Sequence, residues 1–145
     1  MADCGPSHLF VAACRAPHLP VREHPIQQLP DDEFLAELSR RYNAMPQEVL
    51  ENRELVELFL PPLRADLKLL ENWSYQEDAP LECPVSAFGG LQDPSVERDE
   101  LAAWDRQTRS TFRLLMLPGG HLFVKDASPP LLQVISNSLR PYLRG

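Results

Sequence analysis

Cysteine is scarce and unpatterned in this 145-residue chain: Cys4, Cys14 and Cys83 are an odd number without CxxC spacing, which argues against both a disulfide framework and a zinc site. His8, His18 and His24 show no regular spacing with acids, so they read as strand and loop residues and metal binding is disfavoured. Long hydrophobic runs are also missing, for no stretch approaches the roughly 18 uncharged apolar residues of a membrane helix. The N-terminus, Met-Ala-Asp-Cys-Gly-Pro, lacks the basic start and apolar core of a signal peptide, and cytoplasm is the expected compartment. Basic residues are outnumbered: 14 Lys and Arg against 21 Asp and Glu leave a net charge of -7, which disfavours sequence-independent binding to nucleic acid. There is no internal repeat.

A hydrophobic content of 43% with 24% charged residues is too apolar for a disordered chain. The length suits one domain that buries about 70% of its unfolded surface. The 15 prolines fall between periodic segments and punctuate loops.

His8 to Cys14 (HLFVAAC) is a short continuous apolar run, the pattern of a parallel strand covered on both faces. Residues 15–30 form a loop, and Asp31 or Asp32 supplies a helix cap before Phe34, Leu35, Leu38 and Tyr42, a helix that Asn43 ends. A short helix over 46–52 and one over 54–60 follow. Pro61-Pro62 should interrupt before Leu63, Leu67 and Leu70 resume the helical spacing. Residues 31–75 are therefore expected to be a helical insertion.

Cys83 to Phe88 (CPVSAF) predicts a second buried strand, ended by Gly89-Gly90. A helix over 97–108 and a third strand over 111–117 come next, and Ser128 with Pro129 starts a C-terminal amphipathic helix through Leu131, Val134, Ile135, Leu139 and Tyr142. Trp73 and Trp104 read as core or lid-packing residues. Strands alternating with helices predict an α/β layer on a parallel sheet. Three parallel strands leave an apolar edge open, so the chain is expected to be part of a larger fold, to exchange strands or to aggregate.

Reactive groups in open α/β sheets sit in loops beyond the carboxyl ends of strands. Here Asp93 follows the second strand and His121 the third, 28 residues apart, enough for one helix plus one strand. Both loops then reach the same sheet edge, where Asp93 could accept Nδ1–H of His121 and leave Nε2 as a general base. Taken singly, Asp93 reads rather as a turn or cap residue and His121 as a structural histidine; it is the two loops together that bring the functional reading level.

The segments HLFVAACRAPHLP, LPDDEFLAEL, ENRELVELFLPPLRADLKLLENW, CPVSAFGGLQDPSV, Trp104 and LPGGHLFV, in that order, resemble the later part of the type II thioesterases of polyketide and nonribosomal peptide synthesis. The resemblance covers residues 7–140. It implies an α/β-hydrolase fold, of which this chain is the C-terminal portion, with about three parallel strands, flanking helices and a helical lid over residues 31–75. It also implies a catalytic acid at Asp93, a catalytic histidine at His121, and lid residues Leu55, Phe59, Leu63 and Leu67 that pack internally or face an acyl chain. No metal or redox cofactor is implied.

The implied reaction is release of acyl groups from the phosphopantetheine arm of an acyl or peptidyl carrier protein, with no nucleic acid or membrane partner. Arg40, Arg41, Arg64 and Lys68 are candidates for a basic surface toward an acidic carrier. The family's GxSxG nucleophile elbow and its oxyanion loop have no counterpart here: Ser7 follows Pro, Ser86 lies in a strand, and Ser95 lies in the acid loop. These residues alone are therefore expected not to hydrolyse thioesters. The chain is then expected to be a truncated product, to have a misplaced start, or to be one piece of a split protein whose other chain supplies the N-terminal half, and the alternative is an inactive remnant or a module that binds carrier protein or acyl chains.

Overall fold

Strands packed on both faces carry continuous apolar runs, and β2 (Val85–Gly90) is one: all six of its residues are buried. It pairs in parallel with β1 (Leu9–Ala12), Leu9 opposite Val85, and with β3 (Phe112–Leu117), Val85 opposite Phe112 and Gly90 opposite Leu117. The structure, a computed structural model, describes residues 5–42, 45–125 and 127–143. Cys4 and the helix terminator expected at Asn43 lie outside those residues. β1 is half-buried to exposed instead of covered on both faces. Among the described residues it has a strand neighbour on one side only, in the order β1-β2-β3, so fewer side chains flank it.

Gly89 and Gly90 are the last two residues of β2, which ends at Gly90 as expected from sequence. Their lack of a side chain serves close approach: a Cβ on Gly90 would collide with the carbonyl oxygens of Gly119 and Gly120. Because those atoms are backbone, Gly90→Ala is expected to cost about 1–3 kcal/mol in a urea melt. An unchanged midpoint would show that the β3 loop yields freely.

Alternation along the strands gives each sheet face its own core. On one face Phe88 and Leu117 pack with Phe123, Ala127 and Leu131, the last on α5 (Ser128–Leu139). On the other, Ala87 packs with Val96 and Leu101, with Val11, Leu114 and Trp104 around them. The α5 cap position falls to Ala127, one residue before the Ser128 expected from sequence.

Residues 97–108 divide into a short α-helix (Arg98–Ala102) and a 3-10 turn (Ala103–Gln107). Trp104 is half-buried and donates from Nε1 to the Cys14 carbonyl at 2.7 Å. Cys14 and Cys83 are both free thiols.

Contacts divide the chain into two compact units, Met1–Leu19 with Glu77–Gly145, which holds the sheet, and Pro20–Gln76, which is helical. The second unit contains α1 (Asp31–Tyr42), α2 (Gln47–Leu50) and α3 (Arg53–Asn72) around Ile26, Phe34, Leu38, Leu60 and Leu67. It begins before residue 31 because Ile26 is fully buried in that core, and the Glu71 carboxylate accepts the backbone N–H groups of Ile26 (2.7 Å) and Gln27 (3.2 Å). Asn52 caps α3, its Oδ1 accepting from the N–H groups of Glu54 and Leu55.

Pro61-Pro62 does not interrupt α3, which runs unbroken for 20 residues. Both prolines are exposed, so the carbonyls they leave without donors face the wet side, while Leu60 and Leu67 anchor the opposite side to the core.

The basic surface expected of this unit is not available as drawn from sequence. Arg41 is buried, pairing with Glu37 and Glu23 and donating to the His24 carbonyl, and Arg40 pairs with Glu37 at 2.8 Å. Arg64 donates to the carbonyls of Gln27 and Leu29, pairs with Asp31 and lies over the Phe34 ring. Arg41 and Arg64 close loops within the unit, while Arg40 and Lys68 remain exposed. Trp73, expected as a core or lid-packing residue, is 55% exposed and leans on Tyr75, since it stands past the last helical residue. Among the described residues no helix is long and apolar enough to cross a membrane.

Candidate active site

Because β2 and β3 run in parallel, the loops that follow them leave at one edge of the sheet. The two loops are stitched together. Leu91 N–H donates to the Leu117 carbonyl (2.8 Å), Gln92 N–H to the Gly119 carbonyl (2.9 Å), and Gly119 N–H to Gln92 Oε1 (2.7 Å). Gly119 has φ of +120°, a conformation that a side chain would strain, which explains glycine at this turn. Just beyond, Phe123 is fully buried and its N–H donates to the Gly120 carbonyl at 3.0 Å, so His121 is held between a stitched turn and a core anchor. Val96, buried on the other sheet face, anchors the Asp93 loop in the same way.

This scaffold brings Asp93 and His121 into contact, with Nδ1 of the imidazole 3.0 Å from Asp93 Oδ2. The Asp93 side chain is 1% exposed and the His121 side chain 19%, so the carboxylate is dry while the ring reaches the surface. A buried carboxylate needs donors. Asp93 Oδ1 accepts the Ser95 backbone N–H at 2.8 Å and the Ser95 hydroxyl at 2.7 Å. Ser95 Oγ also lies 2.8 Å from His121 Nδ1.

An ionised carboxylate only accepts hydrogen bonds, so its contact with Nδ1 requires the ring proton to be there. With the hydroxyl hydrogen directed to Oδ1, the Ser95 oxygen shares that same Nδ1–H. The basic lone pair is then on Nε2, where such an imidazole can take up a proton and return it while the carboxylate stabilises the imidazolium.

Sequence reasoning passed over Ser95, because comparison with GxSxG tests a serine only as a nucleophile. The available signal was Asp followed two residues later by Ser in a Gly- and Pro-containing loop, an Asx-turn pattern in which the acid accepts from the i+2 backbone.

The other histidines lie elsewhere. His8 Nε2 is 2.9 Å from Ser86 Oγ, and burial, with a smaller effect of Arg113, holds its imidazole below the ordinary histidine range. His18 meets Gln107. A cleft of about 340 Å³ lined by His8, Ser86, Thr111, Arg113 and Asn137 opens near the amino ends of β2 and β3, away from the Asp93 and His121 loops. Of the apolar residues ascribed to a lid, Leu67 is buried, Leu63 packs partly buried on the same core, Leu55 is half-buried, and Phe59 is 43% exposed.

Residues 3–139 match the Thioesterase domain family. The chain belongs to the thioesterase family. It is 41% identical over 143 residues to a protein of Brevibacillus parabrevis named linear gramicidin dehydrogenase LgrE, covering 97% of this chain and 54% of that one. Among solved structures it is similar to ClbQ from the colibactin NRPS/PKS pathway, with a TM-score of 0.85 and 30% identity over 94% of this chain and 58% of that one. The type II thioesterase BorB from the borrelidin biosynthetic cluster aligns with a TM-score of 0.79 and 32% identity, covering 92% of this chain and 54% of BorB. This thioesterase chain thus has the α/β-hydrolase type of fold, here a three-stranded parallel sheet with flanking helices, and it spans about half the length of the relatives it matches.

Proposed function

We propose that the chain supplies the acid–base half of a thioesterase that releases acyl groups from carrier-protein phosphopantetheine thioesters in nonribosomal peptide or polyketide synthesis, as an editing activity. The observation that carries this reading is the Asp93–His121 contact at adjacent strand ends of a thioesterase-family chain. The biosynthetic setting is supported by the colibactin and borrelidin origins of ClbQ and BorB. His121 Nε2 would take the proton of an attacking hydroxyl supplied by a segment other than these residues. The same proton would pass to the departing pantetheine thiolate, and a second round with water would free the acid. Asp93 would hold the ring and balance its charge. The unit Pro20–Gln76 would serve as the lid, Phe59 being its most exposed candidate for contact with an acyl chain.

The test is a hybrid in which this chain replaces the segment of BorB that it matches, assayed with an acyl-pantetheine thioester. The expected result is hydrolysis by the hybrid and none by the 145-residue chain alone. A hybrid that melts cooperatively but never turns over would sink the reading and leave a binding module. Hydrolysis by the chain alone would mean that it carries a nucleophile of its own.

A further inference from the structure

Resting on that reading, we propose that Ser95 is a positioning residue of the acid–base pair: its hydroxyl clamps the Asp93 carboxylate and shares the Nδ1 proton of His121. Three separate contacts converge on this side chain and its own N–H. Oγ–H donates to Asp93 Oδ1 (2.7 Å), the backbone N–H donates to the same oxygen (2.8 Å), and Oγ stands 2.8 Å from Nδ1. The second carboxylate oxygen, Oδ2, is left for the ring at 3.0 Å. The carboxylate, the hydroxyl and the imidazole therefore close a small cycle, Nδ1–H to Oδ2 and Oγ, and Oγ–H to Oδ1.

The cycle has a definite physical effect. A carboxylate held at one oxygen by the backbone alone can still turn about its Cβ–Cγ bond, and each turn swings Oδ2 away from the ring. A donor on Oδ1 that also touches the ring ties the rotation of the acid to the orientation of the imidazole. The contact is nearly dry at Asp93, where each such bond is stronger and its loss is felt more. Ser95 is thus not the missing nucleophile. Its hydroxyl hydrogen is committed to the acid, and its oxygen faces Nδ1, the edge of the ring opposite to the basic Nε2.

The experiment is imidazole ¹⁵N and proton NMR on the intact chain with labelled histidine, His121 being assigned by the signal lost in His121→Gln. The expected wild-type spectrum shows the Nδ1–H tautomer with a slowly exchanging, low-field Nδ1 proton. In Ser95→Ala, which keeps the backbone N–H, that proton is expected to exchange at least about fivefold faster, the loss of roughly one hydrogen bond, and the ¹⁵N shifts to move toward a mixture of tautomers. Ser95→Thr, which restores a hydroxyl, is expected to restore both.

Should Ser95→Ala not fold by its amide spectrum, Ser95→Gly removes the same hydroxyl and is read identically. An unchanged Nδ1 proton and tautomer in the hydroxyl-free variant would overturn the proposal, as would a loss that Ser95→Thr does not reverse. None of these readouts needs a nucleophile, so a hybrid that fails to hydrolyse thioesters would leave this result standing, and failure here would leave the hydrolysis standing.

Discussion

In the hybrid with BorB, His121→Ala is expected to lower kcat by about 10⁴- to 10⁶-fold with little change in KM, the scale seen when the base of a nucleophilic triad is removed. The reasoning is geometric. Nδ1 is committed to Asp93 at 3.0 Å, so Nε2 is the nitrogen left to exchange a proton with an attacking hydroxyl, and the other two histidines of the sheet-bearing unit are engaged elsewhere, His8 with Ser86 and His18 with Gln107.

Asp93→Asn should follow with about 10⁴-fold, because an amide can present N–H to Nδ1 and so favour the wrong tautomer. The pair of variants separates roles, since an alanine that removes the base and an asparagine that only reverses its tautomer both spare substrate binding. Steady-state assay of an acyl-pantetheine thioester checks this. A His121→Ala hybrid that keeps a tenth of its rate would remove the imidazole from the reaction.

Phe123→Ala is expected to destabilise the sheet-bearing unit by about 3–5 kcal/mol, the usual cost of deleting a fully buried aromatic ring. That is a large fraction of a typical domain's 5–15 kcal/mol. The ring is completely buried among Phe88, Leu117, Ala127 and Leu131, two residues beyond His121, and its N–H closes the turn onto Gly120. The expected consequence is double, a lower denaturation midpoint and, in the hybrid, a lost hydrolysis rate even where the fold survives, because the turn that aims the imidazole loses its anchor. A midpoint shifted by less than about 1 kcal/mol would mean that the cavity collapses and that the turn is held by its backbone stitches instead.

The sheet and most helices were legible because their signals are local. The apolar runs over 8–14 and 83–88 and the largely apolar segment 111–117 lie on or beside the three strands, and the spacing of Phe34, Leu38 and Tyr42 marks α1. Where local rules failed, distant contacts had overridden them. Pro61-Pro62 carries a breaker signal, yet Leu60 and Leu67 bury one side of α3 and the prolines fall on the other. Gly89-Gly90 reads as a stop and β2 does end at Gly90, but the reason for glycine there is a distant one, the carbonyls of Gly119 and Gly120 that a Cβ on Gly90 would strike. Arg41 and Arg64 look like surface charge, but they bind backbone carbonyls 17 to 37 positions away in the chain.

By itself the order of residues determined that a carboxylate and an imidazole leave consecutive parallel strands at one edge, because strand direction and loop position follow from periodicity and connection rules. It determined as well that no GxSxG serine stands among these 145 residues. Only the tertiary structure decided that Asp93 and His121 touch and that Ser95, a local partner of Asp93, also reaches the imidazole. Contact within 3 Å depends on the bond between Gln92 and Gly119, on Phe123 and Val96 as anchors, and on the rotation of one buried carboxylate. Those are packing choices made between residues far apart in the chain, and no local pattern encodes them.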